Sequence, residues 1–306
     1  MSVVSTLRLR RHGRGLTRAH LGYILVAPAL AMIFASVIFP IGRTIWLSLH
    51  VVKLNQPSLG QPFTGLDNYA RAVADERFWN GLYNTTVFSA GSVAGALVFG
   101  LLVALLLNEA FLGRGVLRSA ILIPWAMPAV VVAILWKYMY NPIYGVFNDL
   151  VVRAGLFSTY QDWLQTPVTA MAAAVIAEVW RGTPFMALLL LAGLQLIPHD
   201  LYEAAAVDGA NRVQRFVHVT LPLLRPTIAL ALLFRSLEAV RAFDLLYAMT
   251  EGGPAQATEL LSLYTYRTYF GFLDFGYGAT LAVMMVLVSG LIAAVYVRLI
   301  GTAPSS

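Results

Sequence analysis

The chain has 306 residues, of which 59% are hydrophobic and only 12% are charged, whereas a soluble domain carries about 25% charged residues. It contains no cysteine, which excludes a disulfide framework, thiolate catalysis and cysteine-ligated metal sites. The net charge is +6, but five arginines lie before residue 20, next to the first apolar run. That placement is typical of membrane topology rather than of a nucleic-acid-binding surface.

Six apolar segments are long enough to cross a bilayer as helices. The first follows a basic tail, residues 1–20, and is too long for the apolar region of a signal peptide, so it is predicted to be an uncleaved membrane helix. In the third, Pro124 and Pro128 predict a kink, which neighbouring helices can tolerate. The predicted spans are 21–39, 82–107, 117–140, 168–191, 223–249 and 277–300.

Basic residues are distributed unequally between the two sides that six spans define. The tail and the alternate links are rich in arginine. In the first of the other loops acidic neighbours offset the basic residues, and the later two hold only Arg153 and Arg267. The positive-inside rule therefore places both chain ends in the cytoplasm. On this interpretation residues 1–20 and 301–306 are cytoplasmic tails, and residues 21–300 form one transmembrane domain.

The segment 203–222 is the longest polar-rich stretch between two apolar ones. It opens with Glu203 and three alanines, which favour a helix, and Gly209 is expected to end that helix in a turn with positive φ. Asn211 can cap a second, amphipathic helix, and Leu221-Pro222 is expected to close the unit. The pattern predicts a helix, a sharp turn and a short helix that returns to the membrane.

This segment resembles the EAA loop of permease subunits from ATP-binding-cassette (ABC) importers, whose pattern is Glu-Ala-Ala, three residues, Gly, nine residues, Ile, any residue, Leu-Pro. Val219 stands in place of the Ile. The resemblance implies an all-α membrane protein with six transmembrane helices, the type I ABC importer permease fold and a cytoplasmic coupling helix. The residues it implies for coupling to an ATPase are Glu203, Ala204, Ala205, Asp208, Gly209, Phe216, Leu221 and Pro222.

The chain has no ATP-binding motif of its own. Its two lysines, Lys53 and Lys137, are not followed by Ser or Thr, as a P-loop requires, and no nucleophile–base arrangement indicates an enzyme. No cofactor or metal is therefore expected in this chain, and ATP and Mg would be bound by a separate ATPase. The resemblance implies a bacterial or archaeal plasma membrane, a second homologous permease, two copies of the ATPase and an extracellular sugar-binding protein, but no nucleic acid.

Charged residues interrupt the fourth and fifth spans. A charge at the bilayer centre costs about 2.5–3.5 kcal/mol, so these residues require partners or a wet cavity. Spacing of three residues allows Arg235–Glu238 and Glu238–Arg241 pairs along one helix. Two interpretations are open: a charge ladder that locks helices together, and a polar pathway for a polar solute. The residues are Glu178, Arg181, Arg235, Glu238, Arg241 and Asp244.

Several other stretches are similar to carbohydrate-uptake permeases of the maltose and trehalose type, namely residues 65–69, 180–185, 243–247 and 250–254. The resemblance implies that a di- or oligosaccharide passes between the fourth and fifth spans. Trp180 and Phe185 would offer stacking surfaces, and Gly182 and Pro184 would open the backbone. The implied sugar-binding residues are Arg181, Gly182, Phe185, Arg235, Glu238, Ala239 and Ala242.

Alternatives remain at this point. Charged groups stand here where some of those permeases have amides or small residues, so either the sugar's hydroxyl pattern differs or the second permease carries the site. A permease of the same family for another polyol or a glycerophosphodiester is the alternative. A secondary transporter would carry inverted repeats and its own gating ions, and would leave the segment 203–222 unexplained. A membrane-bound enzyme would need a set of catalytic residues, and the sequence shows no such arrangement.

Overall fold

The computed structural model describes residues 18–301, where the regular secondary structure is helical apart from two isolated β-bridges, His50–Phe63 and Lys53–Asp274. Residues 1–17 and 302–306, most of the two predicted tails, lie outside the described residues. The α-helices within the described range are α1 Arg18–Ile33, α2 Phe39–Ser48, α3 Asp67–Ala74, α4 Glu76–Asn108, α5 Arg114–Ile121, α6 Ile123–Ala126, α7 Ala129–Met139, α8 Val146–Arg153, α9 Pro167–Gln195, α10 His199–Val207, α11 Arg212–Arg215, α12 Leu221–Val240, α13 Asp244–Thr250, α14 Leu261–Tyr266 and α15 Phe275–Gly301. Short π-helical turns join some of them, at Phe34–Ile38, Phe216–Thr220 and Arg267–Gly271, and Pro57–Leu59 forms a 3-10 turn.

The described part of the chain divides into two compact units between Trp46 and Leu47. Helix α1, the π-turn Phe34–Ile38 and α2 follow one another without a break. The predicted end of the first span at Phe39 is therefore wrong, since the membrane-length helix runs over Leu25–Ser48. Pro40 does not end it because the π-turn precedes the proline, and such local widening accommodates the hydrogen bond that proline cannot donate.

In the second unit, α4 and α9 pack side by side in the same direction. Gly91 lies against Val175, Gly95 against Val179 and Gly100 against Met186, so both sequences advance together along the contact. A Cβ on Gly100 would lie 2.6 Å from Met186 Cγ. Small residues of this kind let membrane helices approach closely and gain van der Waals contact.

The segment between these parallel helices crosses once in the opposite direction. Helices α5 and α6 meet α7 at an angle of 94°, which confirms the kink expected at Pro124 and Pro128. Arg118 donates to the carbonyl of Leu107 near the end of α4, whereas Tyr140 donates to Ala173 near the start of α9. Because this bent segment returns the chain to the side where α4 began, we count it as one span, which gives six spans within residues 18–301.

Helix α12 runs antiparallel to α9. Gly193 near the end of α9 packs on Leu224 and Thr227 near the start of α12, and farther along both helices Glu178 contacts Arg235. The predicted fifth span, 223–249, is wrong at its far end because α12 stops at Val240, and α13 begins at Asp244 after a break.

A polar network joins the start of α4 to residues 251–277. Glu259, which is buried, accepts from both Arg77 and Arg267. Asp75 caps α4 and accepts the hydroxyl protons of Tyr264 and Tyr277 at 2.5 and 2.6 Å. Burial alone raises the pKa of Asp75, but these donors lower it by more, so the net pKa lies below its ordinary value. Burial and the Asp75 carboxylate raise the pKa of Tyr264 to about 12, so its hydroxyl stays a donor at neutral pH.

The tight α4–α9 contact predicts that Gly100→Val destabilises the protein by about 1–3 kcal/mol, the usual cost of overpacking. The measurement is the midpoint of thermal unfolding of the purified protein in detergent. Gly290→Val is the matched control, since Gly290 is also helical but a Cβ there would meet nothing within 4 Å. Equal shifts in the two variants would contradict the close approach of α4 and α9.

Candidate functional site

Four charged side chains from α9 and α12 form a closed ring of hydrogen-bonded ion pairs. Arg181 donates to both oxygens of Glu178 at 3.0 and 2.8 Å, and to Glu238 at 3.0 Å. Arg235 donates to Glu238 at 2.8 Å and to the Glu178 carboxylate at 2.5 Å. We call these four residues the charge ring. Each arginine therefore contacts both glutamates, and the formal charges cancel.

The charge ring lies deep in the membrane-spanning part of the chain. Glu178 is about 16 Å along the helix axis from Pro167, at 1.5 Å per residue, which is near the middle of a hydrocarbon core about 30 Å thick. The side chains of Glu178 and Arg235 are each 1% exposed, whereas that of Glu238 is 41% exposed. The ring is thus closed on the α9–α12 contact and open at Glu238.

Local sequence explains how α9 and α12 accommodate such a group. Arg235 and Glu238 lie one helical turn apart on α12, and so do Glu178 and Arg181 on α9, so that each helix presents one arginine and one glutamate on the same side. Gly182 leaves the space that the Arg235 guanidinium fills, because a Cβ there would overlap with it. The predicted opening of the backbone at Gly182 and Pro184 is wrong, as α9 continues through both.

A cavity of about 360 Å³ lies beside the charge ring, at the lower end of the range of ligand pockets, about 300–1,000 Å³. It reaches the break that follows α12. Its walls combine ionised, aromatic and small side chains, which can offer hydrogen bonds and an apolar surface to one ligand. The lining residues are Ala129, Glu178, Arg181, Glu238, Arg241, Ala242, Phe243, Asp244 and Leu245.

The structure distributes the sequence-predicted sugar residues over three environments. Arg181, Glu238 and Ala242 line the cavity. Arg235, Gly182 and Ala239 are buried behind it, and Ala239 is completely inaccessible in this chain. Phe185 stacks on Trp125 with ring centroids 6.0 Å apart and an angle of 20°.

The structure differs from the sequence-based predictions for two side chains near the charge ring, Arg241 and Trp180. The Glu238–Arg241 pair predicted from spacing is wrong, because Arg241 follows the last turn of α12 and donates to the carbonyl of Leu237. Trp180 packs edge-on against Trp136 rather than lining the cavity. Sequence reasoning also missed Trp125, which meets Phe185 only because the chain bends before α7.

The segment 203–222 forms a compact knob outside the apolar part of the helices. Helix α10 ends in a Schellman turn: Gly209 has φ of +82° and donates to Ala206, and Ala210 donates to Ala205. Asn211 caps α11 in a reciprocal box with Gln214. The predicted turn at Gly209 and cap at Asn211 are confirmed.

The far end of the knob differs from the prediction. Leu221-Pro222 does not close the unit, because the helix continues through the π-turn Phe216–Thr220 into α12. Phe216 is half-buried, whereas Val207 and Val213 are the strongly exposed apolar side chains. A recess of about 280 Å³ lies between the knob's two helices and is lined by Ala205, Asp208, Gly209, Ala210, Gln214, Arg215, His218 and Val219.

A family model described as the binding-protein-dependent transport system inner membrane component matches residues 96–303. The chain belongs to this family. The matched range contains the parallel helix pair from Ala96 onward, the charge ring and the knob. Members are permease subunits of ABC importers, which agrees with a transport rather than an enzymatic role and with residence in the inner membrane.

Individual relatives agree with this assignment. The permease is 45% identical to the trehalose/maltose transport system permease protein MalF of Thermococcus litoralis, over 87% of this chain and 88% of that protein. It is 40% identical to the sulfoquinovosyl glycerol transport system permease protein SmoG of Agrobacterium fabrum, over 92% and 91%. A solved bacterial ABC transporter involved in the import of the acidic polysaccharide alginate is 23% identical and superposes with a TM-score of 0.80, over 95% of this chain and 98% of that one. The predicted all-α type I ABC importer permease fold is confirmed.

The charge ring predicts strong coupling between Glu178 and Arg235 in the permease. Glu178→Gln and Arg235→Met should each lower the stability by about 3–5 kcal/mol, because either change leaves a buried charge without its partner. The double variant should cost much less than the sum of the two. Thermal unfolding of the purified permease checks this, and additive losses would show that the two side chains do not depend on each other.

Proposed function

We propose that this chain is a permease subunit of an ATP-driven importer and that it passes a neutral di- or oligosaccharide through the membrane beside the charge ring. The observation that carries the proposal is the mid-membrane cavity of about 360 Å³ next to four mutually neutralised ionised groups. A sugar needs many hydrogen-bond partners in a place without bulk water, and such groups supply them. The relative named for trehalose/maltose transport supports this substrate class.

The charges of the site favour a neutral solute over an anionic one. Two arginines and two glutamates cancel within the ring, and the cavity wall adds one arginine and one aspartate, Arg241 and Asp244, so its net formal charge is zero. An anion would therefore lose its hydration without meeting a net positive site. A sulfo-sugar of the kind named for the Agrobacterium relative is the second candidate because that identity is also high.

The open edge of the ring is where hydroxyl groups would bind. Glu238 can accept hydrogen bonds from sugar hydroxyls on its exposed side while Arg181 and Arg235 hold its carboxylate in position. The Phe185–Trp125 stack lies one turn farther along α9 and offers an apolar surface to a sugar ring. The buried Arg235 maintains this arrangement from behind the cavity wall, to which Glu178 contributes.

The remaining parts of the proposal concern orientation and partners. Arginines cluster in the tail 1–20, at Arg114 and Arg118, and in the knob, and the positive-inside rule then puts both chain ends and the knob in the cytoplasm. The knob would dock into an ATPase dimer that binds ATP and Mg, and one knob per chain calls for a second permease beside this one. An extracellular binding protein would deliver the sugar.

We predict that Glu238→Gln and Phe185→Ala lower sugar uptake at least several-fold. The measurement is uptake of radiolabelled trehalose, maltose and maltotriose by proteoliposomes that hold the full complex with its binding protein, with sulfoquinovosyl glycerol assayed in parallel. Complex yield and basal ATP hydrolysis should stay unchanged, because Phe185 is only partly buried and Glu238→Gln leaves the buried Arg235 its ion pair with Glu178.

Other outcomes decide against this assignment. If the wild-type complex takes up sulfoquinovosyl glycerol but none of the three neutral sugars, the substrate is the anionic sulfo-sugar. Unchanged uptake in both variants would remove this cavity as the sugar path, and loss of the assembled complex in both would favour the purely structural charge ladder.

For the knob, we predict that Gly209→Val uncouples sugar uptake from ATP hydrolysis. A β-branched residue in the left-handed region costs about 1–2 kcal/mol, which should distort the turn between α10 and α11. Gly113→Val is the matched control because Gly113 also has positive φ, +87°, but lies outside the knob. Sugar-stimulated ATPase activity of the reconstituted complex should fall in the first variant only; equal activities would show that the turn has no part in coupling.

A further inference from the structure

The break between α12 and α13 turns four consecutive residues toward one cavity. The backbone N–H groups of Arg241 and Ala242 donate to the carbonyls of Glu238 and Ala239 at the end of α12, and Phe243 leaves the helical conformation, with φ of −137° and ψ of −59°. As a result Arg241, Ala242, Phe243 and Asp244 all line the cavity. In a continuous helix four successive side chains would point around the axis, so the break creates this wall.

An aromatic cluster extends from the same wall. Phe243 stacks on Tyr247 with centroids 5.3 Å apart and an angle of 16°, and Tyr266 lies 4.9 Å from Phe243 and 5.6 Å from Tyr247. The two tyrosines are 42% and 37% exposed. Their hydroxyls have no hydrogen-bond partner within residues 18–301. We call Phe243, Tyr247 and Tyr266 the aromatic wall.

Two charged side chains beside the aromatic wall are exposed and not neutralised by ion pairs. Within residues 18–301 the Arg241 side chain donates only through Nε, to the Leu237 carbonyl, so the N–H groups of its two terminal nitrogens can bind a ligand. The Asp244 carboxylate has no ion pair or hydrogen bond in the described part of the chain. These groups differ from the charge ring, where every carboxylate is already held by two arginines.

We infer that the aromatic wall, with Arg241 and Asp244, is a second sugar-ring subsite next to the charge ring. An aromatic face covers the apolar side of a pyranose ring, and an arginine and a carboxylate can bind its hydroxyls as donor and acceptor. The inference rests on the proposed function and extends it, because two adjoining subsites select a substrate of at least two sugar rings. The sugar-binding residues that the family resemblance implies do not include Tyr247, Tyr266, Arg241 or Asp244.

The test uses the full complex with its binding protein in proteoliposomes, and the radiolabelled sugar is whichever of trehalose, maltose and maltotriose the wild type takes up fastest. Tyr247→Ala and Asp244→Asn should each lower uptake about twofold to tenfold, the effect of removing one such contact. Tyr247→Phe keeps the ring and should retain most of the activity. Tyr144→Ala is the matched control, since Tyr144 is exposed and makes no ring contact within the described residues.

Each result decides the inference. A loss in Tyr247→Ala and Asp244→Asn, with complex yield and basal ATP hydrolysis equal to those of Tyr144→Ala, supports the subsite. Unchanged uptake in both, or a fall in complex yield that matches the fall in uptake, overturns it while the proposed function stands. Failure of the wild type to take up any of the three sugars overturns the proposed function and the subsite together.

Discussion

A guanidinium buried between two helices at mid-membrane depth cannot remain ionised there without carboxylates within hydrogen-bond distance. Arg235 meets this condition through Glu178 and Glu238, and much of the second unit depends on that contact. It sets the level at which α9 and α12 meet, and it requires a glycine at residue 182 because the guanidinium occupies the space of a side chain. It also leaves the outer edge of Glu238 accessible, which is why a polar cavity exists beside an otherwise apolar pair of helices.

The molecule contains a second polar network with a different physical role. Glu259 accepts hydrogen bonds from two arginines, and Asp75 accepts them from two tyrosines and from the backbone N–H of Arg77. That network closes the segment 251–277 onto the start of α4. Polar groups that are satisfied on all sides fix geometry, whereas the charge ring keeps one side of Glu238 unsatisfied. The contrast explains why the second network is interpreted as structural and the charge ring as a binding surface.

Short-range signals in the sequence predicted the local structure well. The turn at Gly209, the cap at Asn211 and the Arg235–Glu238 pair depend on residues within one helical turn, so spacing and conformational preference were sufficient. The predicted helix ends near Pro40 and Pro222 were wrong, because a π-turn precedes each proline and both helices continue through it. The Glu178–Arg235 contact, the stack on Trp125 and the break after Val240 depend on how distant segments pack. No pattern along a single segment encodes these features.

The uninterrupted course of residues 212–240 has a mechanical consequence. These residues form one helical rod of 29 residues, about 43 Å long at 1.5 Å per residue. One end of the rod is in the knob, the other carries Arg235 and Glu238, and the first non-helical joint comes only after Val240. If the knob binds an ATPase as proposed, a displacement of the knob along this helix would carry Arg235 and Glu238 with it, because residues 212–240 contain no non-helical joint. The helix would then shift relative to α13 at the non-helical residues 241–243.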